Sequence, residues 1–288
     1  MRRLGIVGLC LAALFAMAAV LAGTASAAPE FKTCVTASKT GKTYNGHYSG
    51  KTCANSTYVE SGGQKYELGE FSLAKKRTFK IAGKVGKNYS LNPETGKYVG
   101  FTTCKTEKGT GEFTATGATF KVSYADCESE KKSCKTEGPG EKKGVISDEE
   151  LAGTMVDLPG GRIGIDIHNK AAPGSTLAQY NCEGLKVDAV GGVIGEISGG
   201  TTEAVKKNKF VFTANKAGSA EGSLQQWLYP SASVSETEGY IKTYEWFGNM
   251  KLAEPTTLFS VIDEGVYTLP SIQTSTSETN GEALKIVG

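Results

Sequence analysis

The sequence predicts an all-β fold, an antiparallel sandwich or barrel with Gly-rich turns and disulfide staples. Three observations carry this. Glycine supplies 37 of 288 residues, close to twice its average share of about 7 %. Thr, Val and aromatic residues recur in short alternating runs, the period-2 pattern of half-buried strands. No stretch sustains a 3.6-residue period over three turns, so long helices are excluded.

In chain order, residues 1–27 have the form of a secretory signal peptide. Met1-Arg2-Arg3 is the basic start, Leu4 to Gly23 the apolar run, and Ala25-Ser26-Ala27 the small-residue exit. The apolar run, about 20 residues, is also long enough to span a bilayer as a retained anchor. Its Ala and Gly content and the lack of stop-transfer charge after it favour cleavage before Ala28. No second run of spanning length follows, so the exported chain is expected to be secreted, soluble and without a membrane span. Losing Arg2 and Arg3 brings the 32 basic residues down to 30, equal to the 30 acidic ones. A neutral surface has no general pull on nucleic acid or anionic lipid, and no nucleic-acid partner is expected.

Cys10 leaves with the leader. The remaining Cys34, Cys53, Cys104, Cys127, Cys134 and Cys182 form an even set, which in an oxidising compartment reads as three disulfides. Proximity in sequence favours Cys34 with Cys53 and Cys127 with Cys134, leaving Cys104 for Cys182. There is no C-x-x-C, and only His47 and His168 could join the cysteines, so neither a metal nor a cofactor is expected.

The mature chain divides into two β-rich regions, a cysteine-containing 28–143 and a C-terminal 144–288 packed against it. Glu128 to Lys143, charged and broken by Gly-Pro-Gly, is a solvated loop or linker. The clearest strand is Arg162 to His168. It places Ile163, Ile165 and Ile167 on one face and Arg162, Gly164, Asp166 and His168 on the other. A turn at Leu158-Pro159-Gly160-Gly161 joins it to a partner strand, Thr154 to Asp157. Alternation also marks Thr78 to Lys84, Thr119 to Tyr124, Leu177 to Asn181, Lys209 to Thr213, Gly239 to Phe247 and Ala283 to Val287. Leu185 to Ile197 reads as a longer strand, bent or bulged at Gly191-Gly192. Ser147-Asp148-Glu149-Glu150 has the form of a helix start, but Gly153 limits it to one turn.

Catalytic signatures are sparse. Gly46 to Thr52 has one residue too few between its glycines for a phosphate-binding loop. No G-x-S-x-G is present. His47 lies in a Gly- and Tyr-rich loop with no nameable partner. Asp166 and His168 share a strand face and could act as orienter and base, though the plain reading is the wet side of a hairpin. Among the acids, Asp126, Asp157, Asp166 and Asp188 fall on or beside expected strands, where a hydrolytic pair could meet in space. Tyr240, Tyr244 and Trp246 alternate onto one face of a strand and, with Trp227 upstream, could form a platform on which sugars stack. The competing reading makes these rings core.

Several marks occur in order: Pro29-Glu30-Phe31 before Cys34, Gly62-Gly63-Gln64-Lys65-Tyr66-Glu67 after Cys53, Gly111-Glu112-Phe113 after Cys104, Cys127-Glu128 with Cys134, Gly164-Ile165-Asp166-Ile167, Cys182-Glu183-Gly184-Leu185-Lys186-Val187, and Thr279-Asn280-Gly281-Glu282-Ala283-Leu284. Together they resemble a family of secreted, Cys-containing, β-rich proteins of soil actinobacteria. The resemblance implies a bacterial source and brings no established activity.

Two functional readings follow. The first is a secreted, non-catalytic β-protein that binds envelope or environmental glycans or another protein. The second is an extracellular hydrolase using paired acids, or Asp166 with His168. A hydrolase requires a concave pocket with convergent acids and a strongly perturbed carboxyl, whereas a surface binder requires an exposed aromatic or apolar patch.

Overall fold

A computed structural model describes residues 28–91, 98–158, 161–212, 229–230, 244–245, 258–262 and 267–288. The expected leader, 1–27, lies outside them. Strands β1 (Glu30–Thr36), β2 (Lys39–Thr40), β3 (Thr43–Tyr44) and β4 (Tyr66–Glu70) open the chain. They are followed by β5 (Thr78–Gly83), β6 (Gly86–Leu91), β7 (Tyr98–Cys104), β8 (Thr106–Thr114) and β9 (Gly117–Ala125). The middle holds β10 (Glu128–Ser129), β11 (Lys132–Thr136), β12 (Val145–Ser147), β13 (Leu151–Leu158), β14 (Arg162–Asn169), β15 (Thr176–Cys182) and β16 (Leu185–Ser198). The last are β17 (Lys209–Phe212), β18 (Tyr229–Pro230), β19 (Tyr244–Glu245), β20 (Leu258–Ile262), β21 (Tyr267–Asn280) and β22 (Leu284–Val287).

The fold is all-β, and its centre is an eight-stranded antiparallel barrel. Its ring runs β9–β13–β14–β16–β17–β21–β5–β8 and returns to β9. Closure leaves no unpaired edge in this ring. A second ring of antiparallel pairings runs β16–β15–β11–β10–β7–β6–β21–β20 and returns to β16. The rings share the two 14-residue strands β16 and β21. Along one side of β16, residues 185–190 pair with β15 and residues 192–196 with β14. The change of partner falls at the expected bend, where Gly191 takes φ +104°, a conformation that costs glycine little and other residues more.

The alternation expected for β14 places Ile163, Ile165 and Ile167 inside, at 2–8 % exposure. Each contributes about 1.5–3 kcal/mol by leaving water. β5 and β8 show the complementary exterior: Thr78, Lys80, Thr106, Lys108, Thr110 and Glu112 are exposed, while Phe79, Ile81 and Phe113 are buried. This is the reverse of a lipid-facing barrel, which is apolar outside. Among the described residues no helix is long and apolar enough to cross a membrane.

β1, β4 and β22 form a separate three-stranded sheet. It docks where the Phe31 N–H donates to the carbonyl of Ala115 at 2.7 Å, in the β8–β9 turn. Phe31 meets Phe113 at 5.0 Å between ring centroids, and Phe113 meets Phe79 at 4.2 Å, so aromatic contact continues from the sheet into the barrel interior. Pairings also run across residue 143, with β9 on β13 and β5 on β21.

Three disulfides form, but two of the expected partners are exchanged. Cys34 bonds Cys53 as proximity suggests. The others join Cys104 to Cys127 and Cys134 to Cys182, not Cys127 to Cys134 and Cys104 to Cys182. The reason is register. The β8–β9 hairpin zips from Thr114↔Gly117 to Thr106↔Ala125, which brings Cys104 and Cys127 together at its open end. Cys134 and Cys182 stand directly opposite each other on β11 and β15. The segment Glu128 to Lys143 therefore carries β10, β11 and a buried cysteine.

Peptide mapping without reduction should recover fragments linked Cys104–Cys127 and Cys134–Cys182. The paired Cys134→Ala and Cys182→Ala variant should lose about 4 kcal/mol by urea unfolding, from the chain entropy restored to a loop of about 49 residues.

Candidate functional site

A cavity of about 110 Å³ is lined by residues of both rings. Phe79, Phe120, Val122, Ile165, Phe210 and Phe212 supply its apolar wall in the first ring. Leu177, Ala189 and Leu258 continue it beside the second. Two of the wall's aromatics pack over a glycine: a side chain at Gly111 would collide with the ring of Phe79 and with Phe120.

A polar belt crosses this wall, set out by strand register. Ser277, Gly83, Glu107, Tyr124 and Ile146 occupy one cross-strand row over β21, β5, β8, β9 and β12. Inward side chains in one row lie close enough to interact. Because Gly83 has no side chain, Glu107 reaches over it, and the Ser277 hydroxyl donates to Glu107 Oε2 at 2.6 Å. β12 then leads out of the first ring, with Ile146 paired to Tyr124 and Asp148 bridged to Ala178 of β15. The Tyr124 hydroxyl donates to Asp148 Oδ2 at 3.1 Å. Beyond it Tyr180 and Thr102 share a hydrogen bond of 3.2 Å, and Asn88 faces the same space.

Burial sets the acid–base character of the belt. Desolvation raises the Glu107 carboxyl above its ordinary range, against the opposing hydrogen bond from Ser277. The Asp148 carboxyl is raised further, first by desolvation, with Tyr124 opposing and the charge of Glu107 adding to it. Asp148 is half-buried as a residue and presents its carboxyl on the cavity side. Two acids of raised affinity for protons thus face one apolar space.

The site residues expected from sequence lie elsewhere. Asp166 and His168 are on β14, on the strand face opposite the cavity-lining Ile165 and Ile167. Asp126, Asp157 and Asp188 also stay out of the cavity wall. Tyr240, Trp246 and Trp227 fall outside the described residues. Tyr244 is described only by its backbone, which pairs with Pro230. His47 has a partner after all: its Nδ1 lies 2.6 Å from Glu67 Oε2, and its ring stacks on the exposed Tyr58.

Glu107 and Asp148 were not found from sequence. Thr106 to Thr114 shows no apolar alternation, because its inward positions are Glu107, Gly109, Gly111 and Phe113. The period-2 placement of small residues ending in Phe was the available signal. Asp148 falls in the expected helical turn; no α-helix forms there, because residues 145–147 pair with β9.

No family model matches the chain, and no curated protein or solved structure matches it. Among the described residues no group of three or more His, Cys, Asp or Glu could hold a metal ion.

A raised carboxyl holds its proton in the folded chain at a pH where the unfolded chain has released it. Stability contributed this way is greatest at acid pH and falls as pH rises through the raised range. Asp148→Asn and Glu107→Gln should each flatten that fall, measured as the urea midpoint from acid to neutral pH.

Proposed function

We propose that this chain is a secreted, non-catalytic binding protein that encloses a small, largely apolar molecule within its barrel. The cavity carries this reading. An apolar space of about 110 Å³ costs roughly 3 kcal/mol at 24 cal/mol per Å³. Well-packed interiors contain few such spaces. A small apolar ligand seated there would recover part of the loss; an engineered apolar cavity of about 150 Å³, somewhat larger than this one, holds benzene. Apolar walls with a few directed polar groups are the usual composition of a small-molecule site. The charged exterior of β5 and β8 suits a barrel that works in water. The expected leader and the three disulfides support export.

A glycan ligand at Tyr240, Tyr244, Trp246 and Trp227 has no support from the described residues. The hydrolase reading has one specific observation in its favour, the two raised carboxyls facing a common space. Against it, a sugar ring needs hydrogen bonds to its hydroxyls, and most of the wall offers hydrocarbon.

Toluene and indole should each raise the melting temperature in a saturable way. Ala118→Trp, or the milder Val122→Phe, should fill the cavity and remove that response while the protein stays folded. Binding unchanged in both variants, or none in the parent, would count against an interior site. Turnover of chromogenic glycosides that disappears in Asp148→Asn and Glu107→Gln would transfer the assignment to the hydrolase.

A further inference from the structure

The polar groups of the cavity wall are unbalanced in charge. Glu107 is 5 % exposed and its Oε2 is occupied by Ser277. Asp148 Oδ2 is occupied by Tyr124. Among the described residues no donor meets Glu107 Oε1 or Asp148 Oδ1. The buried Asn88 Oδ1, in the same wall, also lacks a partner. Both donors to the acids are neutral hydroxyls.

Lys87 is the only basic residue of the wall among those described, and its ammonium is turned away. It lies 5.1 Å from the ring of Phe101 and 5.8 Å from that of Tyr89. Phe101 is 47 % exposed, which places this cluster on the outer face. Among the described residues the interior therefore combines two acids and an unpartnered amide oxygen with no facing cation. A carboxylate in such surroundings is stabilised strongly by a cation that brings its own N–H donors.

We infer that the enclosed molecule is a small organic ammonium ion, with an apolar body against Phe79, Phe120 and Val122 and its charged end against Glu107 and Asp148. A positive group also explains why neutral donors occupy only one oxygen of each acid. Glu107, Asp148 and Asn88 all line this cavity and carry acceptor oxygens of the kind that the three N–H groups of a primary ammonium require. This inference rests on the interior binding site proposed above and specifies its ligand.

Calorimetric titration with benzylamine, benzyl alcohol and benzoate separates the two proposals. Benzylamine should bind about tenfold or more tightly than benzyl alcohol, benzoate should bind more weakly than either, and toluene should displace the bound amine. In the Glu107→Gln, Asp148→Asn double variant the preference for benzylamine should vanish while benzyl alcohol still binds. Should that variant fail to fold, Asp148→Asn alone should reduce the preference, and displacement by toluene in the parent still locates the amine. Benzyl alcohol binding as well as benzylamine would overturn the ammonium inference and leave the interior site standing. A preference that survives both substitutions, or an amine that toluene does not displace, would place the cation outside the cavity and also overturn it. No binding of benzylamine, benzyl alcohol, toluene or indole would remove both proposals.

Discussion

The two 14-residue strands β16 and β21 are longer than either ring requires, and each is a member of both. Every backbone donor and acceptor along them must find a partner, because an unpaired polar group in this interior is costly. The two rings satisfy that demand in succession. β20 and then β17 fill the space between the long strands, while β15 and β14 follow each other on the outer side of β16. The cavity spans the zone where partners change, because β12 and Asp148 cross from β9 to β15 there.

This arrangement accounts for polar side chains in an otherwise apolar interior. A row set by hydrogen-bond register carries Ser277, Glu107 and Tyr124 inward on adjoining strands, with Gly83 leaving room between them. Among the described residues each acid then has one neutral donor and no facing cation, and desolvation lifts both carboxyls. Such an arrangement lowers stability as pH rises and the acids ionise, since buried charge without a countercharge is expensive. Polar cost and unfilled volume occur together, which is the physical basis for reading the interior as a binding site.

The disulfides reinforce the second ring and its boundary. Cys104–Cys127 closes the open end of the β8–β9 hairpin, and Cys134–Cys182 links the facing residues of β11 and β15. With few residues in β10 and β11, backbone pairing there is short. Covalent links compensate by limiting how far the unfolded chain can spread.

Local pattern was enough to establish the class of fold, the hairpin of β13 and β14 with its three inward isoleucines, the bend of β16 at Gly191-Gly192, and an even set of cysteines for pairing. Each rests on neighbours within a few residues, where side-chain alternation and glycine's freedom act directly. Cysteine partners, ring closure and the interior acids were decided by tertiary structure. Cys134 meets Cys182 through strand register, not separation along the chain, and Glu107 lies in a run whose inward glycines erase the apolar signal. Asp148 gains its chemistry only when β12 is paired to β9 and turned into the barrel. These features depend on which distant strands align, and alignment is settled by closing the whole sheet at once.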